Sequence, residues 1–164
     1  MAGTNRLQVG DPAPDFTLPT ATGDSLRLSD FRGKADVVLF FYPKDNSPAC
    51  STEACSFRDS FEAFRDAGAE VIGVSSDTEA SHRRFVDKYK LPFHLVSDTN
   101  GSVRASYAVP RTLGLIPGRV TYVIDQSGVI RHIFSSQFQP ARHVAEALDI
   151  LKALRDDSPA TTSG

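Results

Sequence analysis

Cysteine is scarce in this 164-residue chain, which holds only Cys50 and Cys55. A small scaffold stapled by several disulfides is thereby excluded. An excess of one charge is also missing, since 18 Lys and Arg stand against 20 Asp and Glu for a net charge of -2. That balance excludes a strongly basic nucleic-acid binder and a polybasic patch for acidic lipid. Neither nucleic acid nor a membrane is therefore expected as a partner. The longest aromatic-aliphatic run, Val-Val-Leu-Phe-Phe-Tyr at residues 37–42, is far short of the ~18 residues a membrane span needs. Residues 1–10 show no basic segment followed by an apolar one, so no signal peptide is read. The expected setting is a soluble, reducing compartment such as a bacterial cytoplasm. A mature organellar chain freed of its targeting segment would read the same.

Several motifs are missing too. There is no Cys-x-x-Cys, no His-x-x-x-His, no Gly-x-Gly-x-x-Gly and no phosphate loop. Two cysteines with any of His82, His94, His132 and His143 could number four ligands, but the spacing does not support a metal site. No metal and no cofactor is expected. The four histidines are read as solvated surface or cap residues. Gly114, Pro117 and Gly118 read as a turn-rich loop.

What is present is enough for a globular fold. Hydrophobic residues make up 40% of the chain, and a chain of this length buries about 68–70% of its unfolded surface. The expectation is one domain over residues 1–155, followed by a small, polar tail at 156–164 that frays.

Residues 9–30 carry Pro12, Pro14, Pro19 and Gly23 around short apolar pieces, which predicts extended segments and turns that form a small hairpin. Residues 37–42, closed by Pro43, predict a strand buried on both faces. Phe57, Phe61 and Phe64 recur at i, i+4 and i+7, the core-facing stripe of a helix ending near Gly68. Residues 71–74 predict a second buried strand, parallel to the first across a βαβ crossover. A helix over 78–90, capped by Ser76 or Asp77, is followed by a short strand at 93–97. Residues 120–125 and 129–134 flank Gln-Ser-Gly and predict an antiparallel hairpin, and Val144, Leu148 and Leu151 mark a closing helix from about Pro140. This order, βαβ, a connecting region, then ββα, is that of an α/β thioredoxin fold. It would place a central mixed sheet between helices, behind an N-terminal extension.

The segment between the first strand and its helix carries the chemistry. Pro48 suits the first helical position with Ser47 as its cap, which puts Cys50 in the first turn. Amides there lack intrahelical partners and the helix dipole favours negative charge. A free thiol titrates near 8.5, so only about 3% is ionised at pH 7. Making a thiol about 90% ionised takes ~3.4 kcal/mol, of which a helix terminus supplies ~2 at most. A cation must supply the rest: either Lys44 of the same loop or an arginine brought from elsewhere in the fold.

Cys55 follows five residues later. On an intact helix that spacing gives a rise of about 7.5 Å, a turn of about 140° and a Cα separation of about 8.6 Å. A disulfide needs about 4.4–6.8 Å. If the pair cycles between thiols and a disulfide, the helix start must unwind each time. Spacing alone leaves another reading open, in which both cysteines are small buried hydrophobes.

Pro43-x-x-x-Ser47-x-x-Cys50 resembles the active-site signature of the peroxiredoxins. Phe41-Tyr42-Pro43-Lys44-Asp45, together with Cys50 and Cys55, resembles their peroxiredoxin Q, or bacterioferritin comigratory protein, branch. The segments Val9-Gly10-Asp11-Pro12-Ala13-Pro14-Asp15-Phe16-Thr17-Leu18 and Arg119-Val120-Thr121-Tyr122-Val123-Ile124-Asp125 are similar to that branch as well. Gln137-Phe138-Gln139-Pro140 resembles its cyanobacterial and chloroplast members.

The resemblance implies a thiol peroxidase that reduces hydrogen peroxide and alkyl hydroperoxides. It implies Cys50 as the peroxidatic thiolate, Cys55 as the resolving thiol and an intrachain disulfide between them. Ser47 would hydrogen-bond the peroxide, Pro43 would shield the thiolate from water, and Arg119 would be the missing cation. Thioredoxin is the implied reductant, and a monomer suffices because both thiols share one chain. A mature chloroplast protein becomes the alternative to a bacterial cytoplasmic one. Ala49 stands where Gly is common, which would put a methyl group at the pocket lip and narrow access for bulky hydroperoxides. Tyr107-Ala108-Val109 departs from relatives that continue to a Trp, at a place outside the chemistry. Glu53 could join a polar network near Arg119, but a solvated helix face is the preferred reading. Two other classes stay open: a thiol–disulfide oxidoreductase, and a non-catalytic redox sensor or holdase on the same fold.

Overall fold

The computed structural model describes residues 7–45, 47–109, 111–112, 116–117, 119–135 and 140–156. Gly114, Gly118 and the segment Gln137-Phe138-Gln139 lie outside them, as does the expected loose tail beyond Asp156.

Strand β3 (Asp36–Phe41) is the axis of the sheet, and each of its residues is buried, as its unbroken apolar run predicts. β4 (Ala69–Ser75) lies parallel to it, and β5 (His94–Ser97) lies parallel to β4. On the other side β8 (Val120–Ile124) runs antiparallel to β3 and pairs with β9 (Ile130–Ser135) as a hairpin. The sheet order is β5-β4-β3-β8-β9. This is the central mixed sheet expected from the sequence. β1 (Thr17–Pro19) and β2 (Ser25–Arg27) form the small hairpin read in the N-terminal extension. Upstream of it, Gly10 and Ala13 bond the backbone of Ile130 and Gly128, which ties the extension to the β9 edge. Two short strands, β6 (Arg111–Thr112) and β7 (Ile116–Pro117), pair within the segment read as a turn-rich loop.

Alternation along β3 divides the core. Val38, Phe40 and Tyr42 pack against α1 (Pro48–Asp59), α2 (Phe61–Asp66), α3 (Glu79–Tyr89) and α5 (Pro140–Asp156) through Phe57, Phe64, Phe85 and Leu151. Val37, Leu39 and Phe41 face the opposite layer, which contains Phe16, Leu26, Leu28 and, from α4 (Ser102–Ser106) and its end, Val103 and Tyr107. Tyr107 is structural: its hydroxyl donates to the Pro14 carbonyl at 2.6 Å and anchors the extension. No helix among the described residues is long and apolar enough to cross a membrane.

Three local expectations are corrected. The phenylalanine stripe spans two helices, because the chain bends at Ser60 (φ -102°, ψ 10°) between α1 and α2. Phe57 and Phe64 still reach the core. The cap of α3 is Thr78, whose Oγ1 accepts from the Ser81 amide at 3.1 Å. Asp77 turns the other way and accepts from Ser75 Oγ and the Asp45 amide, both at 2.7 Å. The four histidines are not all peripheral: His82 and His143 are completely buried.

Candidate active site

Pro48 opens α1, with Ser47 in the cap position as the sequence predicts. The Ser47 side chain does not cap the helix; its Oγ donates to the Lys44 carbonyl at 3.2 Å. Pro43 ends the run out of β3 and is half-buried, while Lys44 is exposed. Cys50 sits in the first turn of α1, where backbone amides lack intrahelical acceptors. Its side chain belongs to the core on the helix side of the sheet. The side chain of Ala49 lies outside the described residues.

One face of α1 carries Cys50, Ala54 and Phe57 into that core. Cys55 belongs to the outer face, where it lines an open depression with Ser51, Thr52, Ser56, Asp59 and Tyr89. Both cysteines are free thiols, on one intact helix and on different sides of it. The geometric premise of the sequence reading therefore holds in the reduced chain.

Of the two cations considered, Arg119 is the one the fold brings to the sulfur. β3 and β8 are antiparallel with Phe41 opposite Val120, so the start of β8 lies beside the end of β3. Thr121 pairs with Phe40 and shares its face, and Arg119, two residues earlier, points the same way. Arg119 Nη2 donates to Cys50 Sγ at 3.2 Å, and Nη1 donates to Glu53 Oε1 at 2.5 Å. Cys50 and Glu53 are three residues apart on one helix face, which lets one guanidinium serve both.

Glu53 corrects the sequence reading, because it is completely buried and not solvated. The missed signal was its i, i+3 relation to Cys50 and i, i+4 relation to Phe57. Burial pushes its carboxyl up to about 7, although Arg119 pulls the other way. Burial opposes the charge on Arg119, but Glu53 and Cys50 outweigh it and hold the guanidinium above its ordinary value.

A second polar cluster holds the loop that leads to Cys50. Asp45 accepts from Tyr42 Oη at 2.6 Å and Ser81 Oγ at 2.7 Å, and lies 2.8 Å from His82 Nδ1. The other ring nitrogen of His82 is 3.0 Å from the Val96 carbonyl, so both nitrogens face oxygens. Desolvation, reinforced by Asp45, raises the Tyr42 hydroxyl well above its ordinary value and keeps it a donor. The loop is thus pinned to α3 from inside. Periodicity gave no sign of this, because the partners lie 36 and 37 residues away.

Residues 9–133 match the AhpC/TSA family model. The chain belongs to the AhpC/TSA family. Within this family it falls in the peroxiredoxin Q branch. It is 50% identical over 150 residues to "Peroxiredoxin Q, chloroplastic" of Oryza sativa subsp. japonica, covering 91% of this chain and 69% of that one. The match to the Arabidopsis thaliana protein of the same name is 50% over 149 residues, covering 90% and 68%. Among solved structures, peroxidoxin BcpB from Mycobacterium tuberculosis superposes with a TM-score of 0.85 at 36% identity, covering 92% of this chain and 99% of that one. A cysteine-to-serine mutant of Xylella fastidiosa PrxQ gives 0.84 at 30% identity, covering 92% and 98%. The thioredoxin-like peroxiredoxin fold and the thiol peroxidase class follow. In this peroxiredoxin a thiol, a guanidinium and a helix N-terminus converge.

Proposed function

We propose that this peroxiredoxin reduces hydrogen peroxide and alkyl hydroperoxides through Cys50, with Cys55 as the resolving thiol and thioredoxin as the reductant. The observation that carries the reading is the 3.2 Å hydrogen bond from Arg119 to Cys50 Sγ at the start of a helix. A cation and unpaired amides at one sulfur favour its thiolate.

In the first step the Cys50 thiolate attacks one peroxide oxygen. An S–O bond forms, the O–O bond breaks, and the departing oxygen leaves as water or alcohol once it takes a proton. Arg119, the first-turn amides and the Ser47 hydroxyl are the donors available to the two oxygens. For that role Ser47 must turn from the Lys44 carbonyl toward substrate. Pro43 closes the approach to water.

In the second step the Cys55 thiolate attacks the sulfenic sulfur, an S–S bond forms and hydroxide leaves to become water. About 8.6 Å between helical Cα atoms is too long for that bond, so the first turns of α1 unwind before it forms. A dithiol of the thioredoxin kind then reduces the disulfide by exchange. Both thiols belong to one chain, so a monomer completes the cycle. The plant relatives bear the word chloroplastic in their names, which supports a chloroplast setting. The bacterial neighbours keep a bacterial cytoplasm equally open.

The test is hydrogen peroxide consumption with thioredoxin, its reductase and NADPH, read beside intact mass. One equivalent of peroxide should remove two hydrogens from the reduced chain, and Cys50→Ser should abolish turnover. Full steady-state activity in Cys50→Ser overturns the assignment. Disulfide reduction without peroxide would point to an oxidoreductase, and a single oxidation without turnover to a sensor.

A further inference from the structure

Glu53, which shares Arg119 with Cys50, is also faced by His143, and the proposed cycle leaves this titratable pair unused. His143 comes from α5, and its Nδ1 is 2.7 Å from Thr121 Oγ1 and 3.5 Å from Glu53 Oε2. Glu53 and His143 are both completely buried. Oε1 of Glu53 is held by Arg119, whereas Oε2 has no hydrogen-bond partner among the described residues. A buried carboxylate oxygen without a donor is costly. A proton on Oε2, or on the imidazole facing it, removes that cost.

We propose that His143 is a positioning residue for the Cys50 thiolate: with Glu53 it holds one proton beside Arg119, and that proton leaves the guanidinium charge to the sulfur. The proposal rests on Cys50 being the reactive thiol. Its logic is a charge count. With the proton in place the pair is neutral as a whole, whether as carboxylic acid and imidazole or as carboxylate and imidazolium. Of the two acidic groups that Arg119 bonds, Cys50 and Glu53, only the thiolate then carries a negative charge not already offset. Without the proton the pair carries one negative charge and competes with the sulfur for the same cation.

Among the described residues, few groups face Glu53. Arg119 enters from the start of β8, His143 from α5, and Cys50 from its own helix through Arg119; Thr121 of β8 adds a neutral hydroxyl. Burial pushes the Glu53 carboxyl up to about 7, so this proton exchanges near neutral pH. Coupling of this kind is reciprocal. If the proton favours the thiolate, the thiolate tightens the hold on the proton by the same factor.

The experiment uses the full reduced chain with Cys55→Ser, so that alkylation by iodoacetamide reports Cys50 alone. Adding His143→Asn should move the rising limb of the pH profile upward, with roughly three- to tenfold slower alkylation near pH 7, the size of a half- to one-unit shift. In a Glu53→Gln background the same substitution should leave the profile in place. Equal shifts in both backgrounds, or no shift in either, overturn the proposal. Should His143→Asn fail to fold, NMR titration of the His143 ring decides. Its step should fall to lower pH when Cys50→Ser removes the sulfur, and identical titrations overturn the proposal. Neither measurement needs peroxide turnover, so failure of the peroxidase reading would be seen separately.

Discussion

Arg119 Nη2 stands 3.2 Å from Cys50 Sγ across 69 residues of sequence, and its other terminal nitrogen grips Glu53. The guanidinium fork matters as much as its charge. Arg119→Ala should slow oxidation of Cys50 by peroxide about 10²- to 10³-fold, the usual cost of losing one donor to developing charge. Arg119→Lys should recover little of this, because one ammonium cannot hold sulfur and carboxylate in a planar fork. Stopped-flow rates on the reduced chain check both, and a lysine variant of full rate would refute the fork.

The raised Glu53 carboxyl makes stability depend on pH. A carboxyl held near 7 in the fold and near 4.5 when unfolded binds more protons in the native state between those values. Stability contributed by this group therefore falls as pH rises from about 4.5 to about 7, then levels off. Urea midpoints across pH 4.5 to 8 should show that decline, and Glu53→Gln should flatten it.

In the proposed cycle Cys55 must leave the outer face of α1 before it can resolve Cys50. Cys55→Ser should accept one equivalent of peroxide, gain one oxygen in mass and cease cycling with thioredoxin. With further peroxide the trapped sulfenic acid should advance to sulfinic acid. A Cys55→Ser chain that turned over at the parent rate would remove Cys55 from the cycle.

The Asp45–His82 pair pins the loop before Cys50 and is almost wholly shielded from solvent. Asp45→Ala leaves His82, Tyr42 and Ser81 without their common acceptor and should cost about 3 kcal/mol, as breaking one side of a buried pair does. The freed loop should also open faster. Mass spectrometry should then find less sulfinic acid than in the parent at equal peroxide exposure.

Gly73 tests the core under the site. A Cβ there would lie 2.7 Å from Phe40 Cζ and 2.8 Å from Leu95 Cδ2. Gly73→Ala should lower stability by about 1–3 kcal/mol through overpacking, measurable by urea unfolding. An unchanged midpoint would mean that the Phe40 ring yields freely.

Much of this was legible along the chain. The apolar run of β3, its end at Pro43, the helix opened by Pro48 and the β8–β9 hairpin all follow from local pattern. So do the position of Cys50 in the first turn and the five-residue reach to Cys55. Other features were not legible. Thr78 took the cap from Ser76 and Asp77 because Asp77 was already bound to Ser75 and Asp45. Glu53 looked solvated because polarity by itself does not reveal which helix face meets the sheet. His82 and His143 looked peripheral because their partners are far away in sequence.

Residue order alone determined that two thiols five apart would share a helix and could not join without unwinding it, since helical rise and rotation depend only on spacing. Which charges would surround the first thiol was settled in three dimensions. The antiparallel register of β3 and β8 carried Arg119 to the sulfur, and α5 closed over Glu53 with His143. Helical geometry belongs to neighbours along the chain. Charge and burial belong to neighbours in space, and those exist only once the sheet and its covering helices have packed.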